Sequence, residues 1–396
     1  MSSVTEQTEQ YQPNSCNSMG QELSGATSTK PQVQPVLPSS PPREIRVAWV
    51  AGPGTLDRLG RTIQPLAIGL IDELVKLMVI CPMGEPCEEL PSPPIEIMRY
   101  GTIHRWWKPG KKLIPIAAEF KKHRVQLLHA LDGASWKMCR ELSRLADLPC
   151  VVSSYNLDDP SVLGRLSRCT RTVIAASQPV RQALLERRAL QTDRVRLIRP
   201  GLFQVRQPTC FVQPESFVSI IICGNLDDPA PFQTVLRSLA DLASRNYDCV
   251  PFLIGSGRGE RRLRAMADKL GLRRSITFID RQPPRQLSGI LKAGDLFVSP
   301  TCDREVPINV LLAMAAGVPV ISAPNKAGDF LTDGKTALVF DPGNSGDLTG
   351  KLISLLEDHA LAHRLAETAL EYLRANHNIT NAVSSLVEVY KQATST

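Results

Sequence analysis

The sequence predicts an α/β protein with two domains, each built on a parallel β-sheet that lies between helices. Short apolar runs rich in Val and Ile alternate along the chain with segments of helical period. Continuously apolar strands are typical of parallel sheets, which helices cover on both faces. The length of 396 residues exceeds one ordinary core, since about 150 residues per domain is usual. We therefore predict two Rossmann-like domains that face a cleft.

The first 43 residues have a different composition. Ser, Thr, Gln and Pro dominate this stretch, and its apolar residues follow no period. Such a segment cannot bury enough apolar surface to offset its chain entropy, so we predict a disordered tail at residues 1–43. The tail has no apolar run of the kind that secretory signals carry, and we expect a cytoplasmic protein.

The folded part divides at the proline-containing stretch 202–216. We predict a first domain at residues 44–205, a second at 206–378 and a final helix at 379–396. The strands expected in the first domain are Ile45–Val50, Met78–Cys81, Val125–Ala130, Cys150–Ser153, Thr172–Ala176 and Val195–Ile198, and the helices are Thr62–Lys76, Ser135–Ala146 and Pro179–Arg188. The strands expected in the second are Val218–Cys223, Val250–Ile254, Ile276–Ile279, Leu296–Ser299 and Val318–Ser322. Its helices are expected at Phe232–Ser244, Glu260–Leu270, Arg285–Ala293, Ile308–Ala316, Gly346–Glu357 and Leu361–Ala375.

Charge and cysteine content narrow the function classes. Residues 44–212 carry a formal charge of +9, whereas residues 213–396 carry −1. A basic domain suggests an anionic partner, although a solvated basic surface explains the charge equally well. The ten cysteines have irregular spacing and form no C-x-x-C pair. We therefore expect reduced thiols and no bound metal.

Two strand-to-helix turns in the second domain have features of ligand loops. Gly255-Ser256-Gly257-Arg258-Gly259 lets a backbone approach a phosphate closely, although a plain βα turn is an alternative interpretation. In the other turn, Pro307 stands at the start of a helix, where Ile308 and Asn309 would present free N–H groups at its positive end. Both turns follow strands, at the sheet edge where such folds bind ligands.

The run Ala313-Met314-Ala315-Ala316-Gly317-Val318-Pro319-Val320 resembles the signature region of the retaining glycosyltransferases of family 4 (group 1), which have the GT-B fold. Other runs are similar to that family in order and spacing: Val173–Ser177, Arg194–Gly201, Ile220–Leu226, Phe252–Gly257, Ile276–Phe278, Ala293–Pro300, Asp333–Val339 and Leu355–Asp358. The resemblance spans residues 45–375. It implies that the last helix crosses back onto the first domain.

The chain departs from the family pattern at positions that carry chemistry. The family has two glutamates eight residues apart (E-x7-E), and these positions are Arg304 and Leu312 here. Glu305, displaced by one, is the carboxylate available to a donor hydroxyl. The cations that hold the donor diphosphate in the family fall on Asn225 and Ala230, and a family histidine falls on Tyr155.

The resemblance implies transfer of a sugar from a nucleotide-sugar, with retention and without a metal or other cofactor. Glu305 is the candidate catalytic residue, and the candidate donor-binding residues are Gly224, Asn225, Gly255, Gly257, Arg258, Arg304, Pro307, Ile308 and Asn309. Gly52, Gly54, Tyr155 and Asn156 are the candidates on the acceptor side. The substituted motif also favours an alternative, an inactive homologue that acts as a binding or scaffold subunit. A dinucleotide-dependent enzyme is less favoured, because its glycine fingerprint is incomplete.

The basic first domain leads us to expect an anionic or lipid-linked acceptor and no nucleic acid. The segment from Arg105 to Arg124 mixes Trp106 and Trp107 with many cations. Such a mixture suits an anionic membrane surface, so we predict peripheral contact at the inner membrane surface. Core packing of the two tryptophans, with solvated lysines around them, is the alternative.

Overall fold

The fold is taken from a computed structural model that describes residues 44–88, 90–101, 109–159, 169–186, 191–212 and 217–395. The predicted tail at 1–43 lies outside the described residues, as do Trp106 and Trp107. The described residues contain two β-sheets, each made of parallel strands. The predicted α/β class with two parallel sheets is confirmed.

The first sheet contains seven strands among the described residues, in the order β3-β2-β1-β4-β5-β6-β7. Its strands are β1 (Ile45–Val50), β2 (Val75–Pro82), β3 (Glu96–Tyr100), β4 (Leu127–Ala130), β5 (Cys150–Ser154), β6 (Thr170–Ala175) and β7 (Val195–Leu197). Its helices are α1 (Thr55–Asp72), α2 (Pro109–Lys122), α3 (Trp136–Ala146) and α4 (Gln178–Leu185). Its paired strands run parallel, and helices follow β1, β3, β4 and β6.

The second sheet has six described strands, in the order β10-β9-β8-β11-β12-β13. These strands are β8 (Val218–Cys223), β9 (Cys249–Ile254), β10 (Thr277–Ile279), β11 (Leu296–Ser299), β12 (Val320–Ser322) and β13 (Leu338–Val339). The helices that follow are α5 (Ala230–Ser244), α6 (Glu260–Lys269), α7 (Pro284–Lys292), α8 (Ile308–Ala315), α9 (Ser345–Glu357), α10 (His359–Asn376) and α11 (Ile379–Ser395). In each sheet the order of the strands changes direction next to the strand that comes first in the sequence, which is β1 or β8. Rossmann folds have the same reversal.

We call residues 45–197 together with α11 the first lobe, and residues 218–376 the second lobe. The chain passes between them twice, at neighbouring places. Leu202 donates its N–H to the carbonyl oxygen of His377 (3.0 Å), and a His377 ring nitrogen lies 2.9 Å from the carbonyl oxygen of Pro200. Both crossings therefore form one hydrogen-bonded junction.

Helix α1 begins at Thr55, seven residues before the predicted start at Thr62. Gly54, Gly60 and Pro65 weaken the helical pattern here, since Gly and Pro disfavour helix interiors. Tertiary contacts override this preference. The carboxylate of Glu85 accepts hydrogen bonds from the N–H groups of Gly54 and Leu56 (3.0 Å for Leu56), which no intrahelical acceptor serves. A residue distant in sequence thus fixes the start of α1.

The last helix, α11, packs on α1, β4 and β6 of the first lobe. Tyr390 anchors it: its hydroxyl accepts from the Trp49 indole N–H (2.9 Å) and lies 2.6 Å from Nδ1 of His129. The other ring nitrogen of His129 lies 2.9 Å from the hydroxyl of Ser153. Tyr390, Trp49 and His129 are all buried, so these bonds are not replaced by water when they break.

We expect Tyr390→Phe to lower the free energy of unfolding by about 2–6 kcal/mol, because two buried polar groups lose their partner at about 1–3 kcal/mol each. Urea denaturation measures this change. Tyr247→Phe is the matched control: its hydroxyl bonds an exposed Glu357 carboxylate at the surface, where a loss of about 0.5 kcal/mol or less is expected. Equal effects of the two substitutions would contradict the anchoring role of Tyr390.

Two buried histidines should make the fold sensitive to acid. Burial lowers the pKa of His129 to about 3 and that of His377 to about 4. The unfolded chain takes up these protons below about pH 6.5 while the folded chain does not. The free energy of unfolding should therefore fall from about pH 6.5 downward, by about 1.4 kcal/mol per pH unit for each histidine. Urea unfolding between pH 7 and pH 5 tests this prediction. In His377→Asn the free energy of unfolding should fall less steeply with decreasing pH, because one histidine fewer takes up a proton on unfolding. A pH dependence equal to that of the wild type would contradict the role assigned to His377.

Candidate ligand site between the lobes

A cavity of about 320 Å³ lies between the first turns of α1 in the first lobe and the carboxyl ends of strands in the second lobe. We call it the cleft cavity. Its lining residues are Asp57, Arg58, Arg61, Cys223, Gly224, Asn225, Ile254, Gly255, Arg281, Gln282, Leu287, Ser299, Thr301, Asp303, Glu305, Val306, Pro307, Ile308 and Asn309. The second-lobe wall includes the ends of β8 and β11, where the strand order of that sheet reverses. Doubly wound sheets bind ligands at this place.

The N-terminus of α8 forms one wall of the cleft cavity. Val310 and Leu311 both donate their N–H groups to the carbonyl oxygen of Pro307, at 3.1 and 3.2 Å. The N–H groups of Ile308 and Asn309 precede these first bonds of the helix, and both residues line the cavity. The positive end of the helix dipole adds to their effect, so this wall suits an anionic group such as a phosphate.

Glycines let two strand ends of the second lobe come close together. A Cβ atom at Gly255 would lie 2.1 Å from the carbonyl oxygen of Gly224, which backbone bonds hold in place. A Cβ at Gly257 would lie 2.4 Å from the backbone of Leu226 and Asp227. Gly224 and Gly255 line the cleft cavity, whereas Gly257 supports the turn behind it.

A partly buried charge network joins the lobes beside the cavity. The Nε of Arg58 lies 2.5 Å from a Glu305 carboxylate oxygen, and its Nη2 contacts the carboxylate of Asp132. Asp132 also accepts from the Thr55 hydroxyl (2.9 Å). Burial lowers the pKa of Arg58, but Glu305 and Asp132 together raise it above its ordinary value. For the carboxylate of Glu305, burial raises the pKa, and the positive charge of Arg58 opposes this rise.

Backbone bonds also connect the loops after β5 and β11. Asn156 and Glu305 form an antiparallel bridge. Leu157 donates to the carbonyl oxygen of Arg304, and Val306 donates to that of Tyr155, both at 2.9 Å. The loop that carries Glu305 is thus held from the first lobe. This bridge and the ion pair with Arg58 together position the side chain of Glu305.

The structure brings most of the predicted donor-side residues together. Those that line the cleft cavity are Gly224, Asn225, Gly255, Glu305, Pro307, Ile308 and Asn309. Arg258 and Arg304 do not line it. The side chain of Arg258 is 91% exposed with its Nε 3.6 Å from Asp227, and the Nε of Arg304 donates to Asp158 at 2.9 Å. All of these assignments remain predictions.

The predicted acceptor-side residues lie at the carboxyl edge of the first sheet, outside the lining of the cleft cavity. Gly52 donates its N–H to the Ser135 hydroxyl (2.8 Å), and Gly54 donates to Glu85. Tyr155 is buried, and burial raises its pKa to about 12. Tyr155 and Asn156 belong to the bridge with the Glu305 loop.

Three arginines that were not predicted as site residues line the cleft cavity. Arg58 and Arg61 stand on successive turns of α1, in a stretch that was predicted to precede the helix. Arg281 follows β10 and reaches the carboxylate of Asp57 on α1 (2.6 Å). Their i, i+3 spacing on a helix that begins at Thr55 would have revealed that Arg58 and Arg61 share a face.

Comparisons with known proteins agree with this geometry. Residues 212–372 match the sequence profile of the family "Glycosyl transferases group 1". The chain is 31% identical over 114 residues to the D-inositol 3-phosphate glycosyltransferase of Corynebacterium glutamicum, a match that covers 28% of this chain and 27% of that protein. It is 23% identical over 174 residues to the alpha-D-kanosaminyltransferase of Streptomyces kanamyceticus, with 44% and 45% covered. The matches thus span less than half the length of these curated relatives.

Solved structures show the same architecture over most of the chain. The Anabaena protein HepE in complex with UDP and glucose has a TM-score of 0.70 and 16% identity, with 88% of this chain and 100% of that chain covered. The sucrose-phosphate synthase of Thermosynechococcus elongatus has a TM-score of 0.69 and 17% identity, with 88% and 98% covered. At such identities the likeness concerns the fold alone.

The two parallel sheets and the cavity between their strand ends define a GT-B fold, the two-lobed architecture of these glycosyltransferase structures. Within it, residues 212–372, which make up nearly all of the second lobe, are similar to the glycosyl transferases group 1.

Two further predictions concern metals and membranes. Among the described residues, no group of three or more His, Cys, Asp and Glu is placed to hold a metal ion. In the same part of the chain, no helix has the length and apolar character to cross a membrane. Peripheral contact through Trp106 and Trp107 remains a prediction.

Proposed function

We propose that this protein transfers a sugar from a nucleotide-sugar to an acceptor, with retention of configuration, and that the donor binds in the cleft cavity. One observation carries the proposal: the α8 N-terminus and three arginines converge on a cavity between two GT-B lobes. The family match of residues 212–372 supports it. The HepE structures, which hold UDP or UDP-glucose, show that a protein of this fold takes such a ligand.

In this proposal the donor diphosphate meets the N–H groups of Ile308 and Asn309. Negative charge develops on the leaving diphosphate as the sugar bond breaks, and fixed N–H dipoles and cations stabilise that charge without reorganisation. The carboxylate of Glu305 accepts a hydrogen bond from a donor hydroxyl. The acceptor approaches from the first lobe, whose basic charge suits an anionic or lipid-linked molecule.

The inactive-homologue alternative has an observation in its favour. Leu312 stands where the family pattern has its second glutamate, and it lines a neighbouring cavity that is largely apolar. A leucine offers no hydrogen bond to a nucleotide-sugar. A protein that binds a nucleotide without turning it over would therefore fit this substitution.

A thermal-shift screen with nucleoside diphosphates and nucleotide-sugars tests the proposal. A ligand at 100 times its Kd adds about 2.7 kcal/mol to the stability. We expect a clear shift with at least one nucleotide, together with slow donor hydrolysis that Glu305→Ala abolishes. A shift without hydrolysis or transfer would favour the binding subunit, and no shift with any nucleotide would overturn the donor site itself.

A further inference from the structure

We propose that Arg61, on α1 of the first lobe, is the cation that holds the donor diphosphate against the second lobe. This inference rests on the proposed function and names a residue and a mode of binding for it. The donor would then be gripped by both lobes at once, with its phosphates between α1 and the start of α8.

The position of Arg61 is the first argument. Its Nη1 donates to the side-chain oxygen of Asn309 (2.5 Å), in the first turn of α8, and its Nη2 donates to the carbonyl oxygen of Gln282 (3.3 Å), after β10. Its positive charge also acts on Cys223 at the end of β8, where it opposes the rise in the thiol pKa that burial causes. The Arg61 guanidinium therefore lies among three strand and helix ends of the opposite lobe.

Arg61 lies close to a place in the second lobe, after β8, where the side chain is uncharged. Asn225 follows β8 by two residues and lines the cleft cavity with an uncharged side chain. Its side-chain oxygen accepts the N–H of Asp227 (3.0 Å), so the side chain is used within its own loop. Arg61 of the opposite lobe therefore places a positive charge near the end of β8, where the side chain of Asn225 is uncharged.

Two other arginines that line the cleft cavity, Arg58 and Arg281, each contact carboxylates. Arg58 lies between the carboxylates of Asp132 and Glu305. Arg281 bonds the carboxylate of Asp57 (2.6 Å). Arg61 donates to the amide oxygen of Asn309 and to the peptide oxygen of Gln282. A phosphate oxygen is a stronger acceptor than either of these neutral oxygens, because its charge strengthens the hydrogen bond, so a phosphate at the start of α8 can replace them.

Helix dipole and guanidinium act on the same atoms in this arrangement. A phosphate placed at the N–H groups of Ile308 and Asn309 lies within reach of Arg61, because Arg61 already contacts the side chain of Asn309. Guanidinium binds phosphate through two parallel hydrogen bonds. The diphosphate, rather than the nucleoside, should thus depend on Arg61.

Titration calorimetry of the full chain tests this with UDP, GDP, inorganic pyrophosphate and the nucleosides uridine and guanosine. Arg61→Gln should weaken binding of the diphosphate-bearing probes about ten- to hundredfold, which is the usual value of a charge-assisted hydrogen bond. Nucleoside binding should not change. In the Arg61→Gln background, Asn225→Arg places a cation at the end of β8 and should restore diphosphate affinity by about tenfold or more.

The control is Arg245→Gln, which removes an exposed arginine of the second lobe that does not line the cleft cavity and should leave every affinity unchanged. Unchanged binding of UDP, GDP and pyrophosphate by Arg61→Gln would overturn this inference alone. Equal loss of nucleoside and diphosphate binding, without rescue by Asn225→Arg, would also overturn it, since Arg61 would then be structural. A wild-type protein that binds no diphosphate would overturn the proposed function together with the inference.

Discussion

Replacing Glu305 with glutamine should reduce sugar transfer and donor hydrolysis by up to about 100-fold, while the affinity for a nucleoside diphosphate stays within about threefold. Glu305 lies on the loop after β11 and reaches the cleft cavity beside α8. A carboxylate contributes about 1.5–3 kcal/mol to a hydrogen bond that it accepts, and the amide is a weaker acceptor of nearly the same shape. The loss should therefore appear in kcat rather than in nucleotide binding.

Asp158→Asn is the matched control for Glu305. Asp158 is a carboxylate that pairs across the lobes with Arg304, but it does not line the cleft cavity. We expect nearly wild-type turnover from this variant, because exposed ion pairs contribute little. If Asp158→Asn lowered turnover as much as Glu305→Gln does, lobe contact rather than sugar binding would explain the role of Glu305.

Gly255→Ala should lower the free energy of unfolding by about 3 kcal/mol and abolish nucleotide binding. The added methyl group would lie 2.1 Å from the carbonyl oxygen of Gly224, a backbone atom that cannot rotate away. Gly255 donates its N–H to Ile279 and Gly224 donates to Ile254, so relief of the clash breaks the sheet edge on which the cavity rests. Urea unfolding and calorimetry measure the two effects.

Gly289→Ala is the matched control in the same lobe, and we expect it to raise the free energy of unfolding where Gly255→Ala lowers it. Gly289 lies within α7, and apart from its chain neighbours and the backbone of its own helix nothing lies within 4 Å of a Cβ placed there. Alanine favours the helix over glycine by about 0.5–1 kcal/mol, so this variant should be slightly more stable than wild type. Destabilisation by both substitutions would show that the contact between Gly255 and Gly224 is not what makes Gly255 necessary.

The strands could be predicted closely from the sequence because their burial leaves a strong local pattern. Ile45–Val50, Val218–Cys223 and Leu296–Ser299 have the bounds that their apolar runs predicted. The edge strand β3 was missed, since its sequence Glu96–Tyr100 mixes polar and apolar residues and is only partly buried. Helix α1 was placed too late because its first turn depends on Glu85, which is remote in sequence.

Only those parts of the candidate site that lie within single segments of the second lobe could be predicted from the sequence. The start of α8 and the glycines after β8 and β9 could be found from local sequence, because turn and cap residues signal them. Arg58 and Arg61 could not, since their significance depends on the second lobe, which begins more than 150 residues later along the chain. The Trp49–Tyr390–His129 contacts were missed for the same reason.

A crystal structure of the protein with the nucleoside diphosphate that it binds most tightly tests the central claim most directly. We predict that the diphosphate lies in the cleft cavity, with its oxygens on the N–H groups of Ile308 and Asn309 and on the guanidinium of Arg61. Nucleotide bound elsewhere, with the cleft cavity unchanged, would contradict the account.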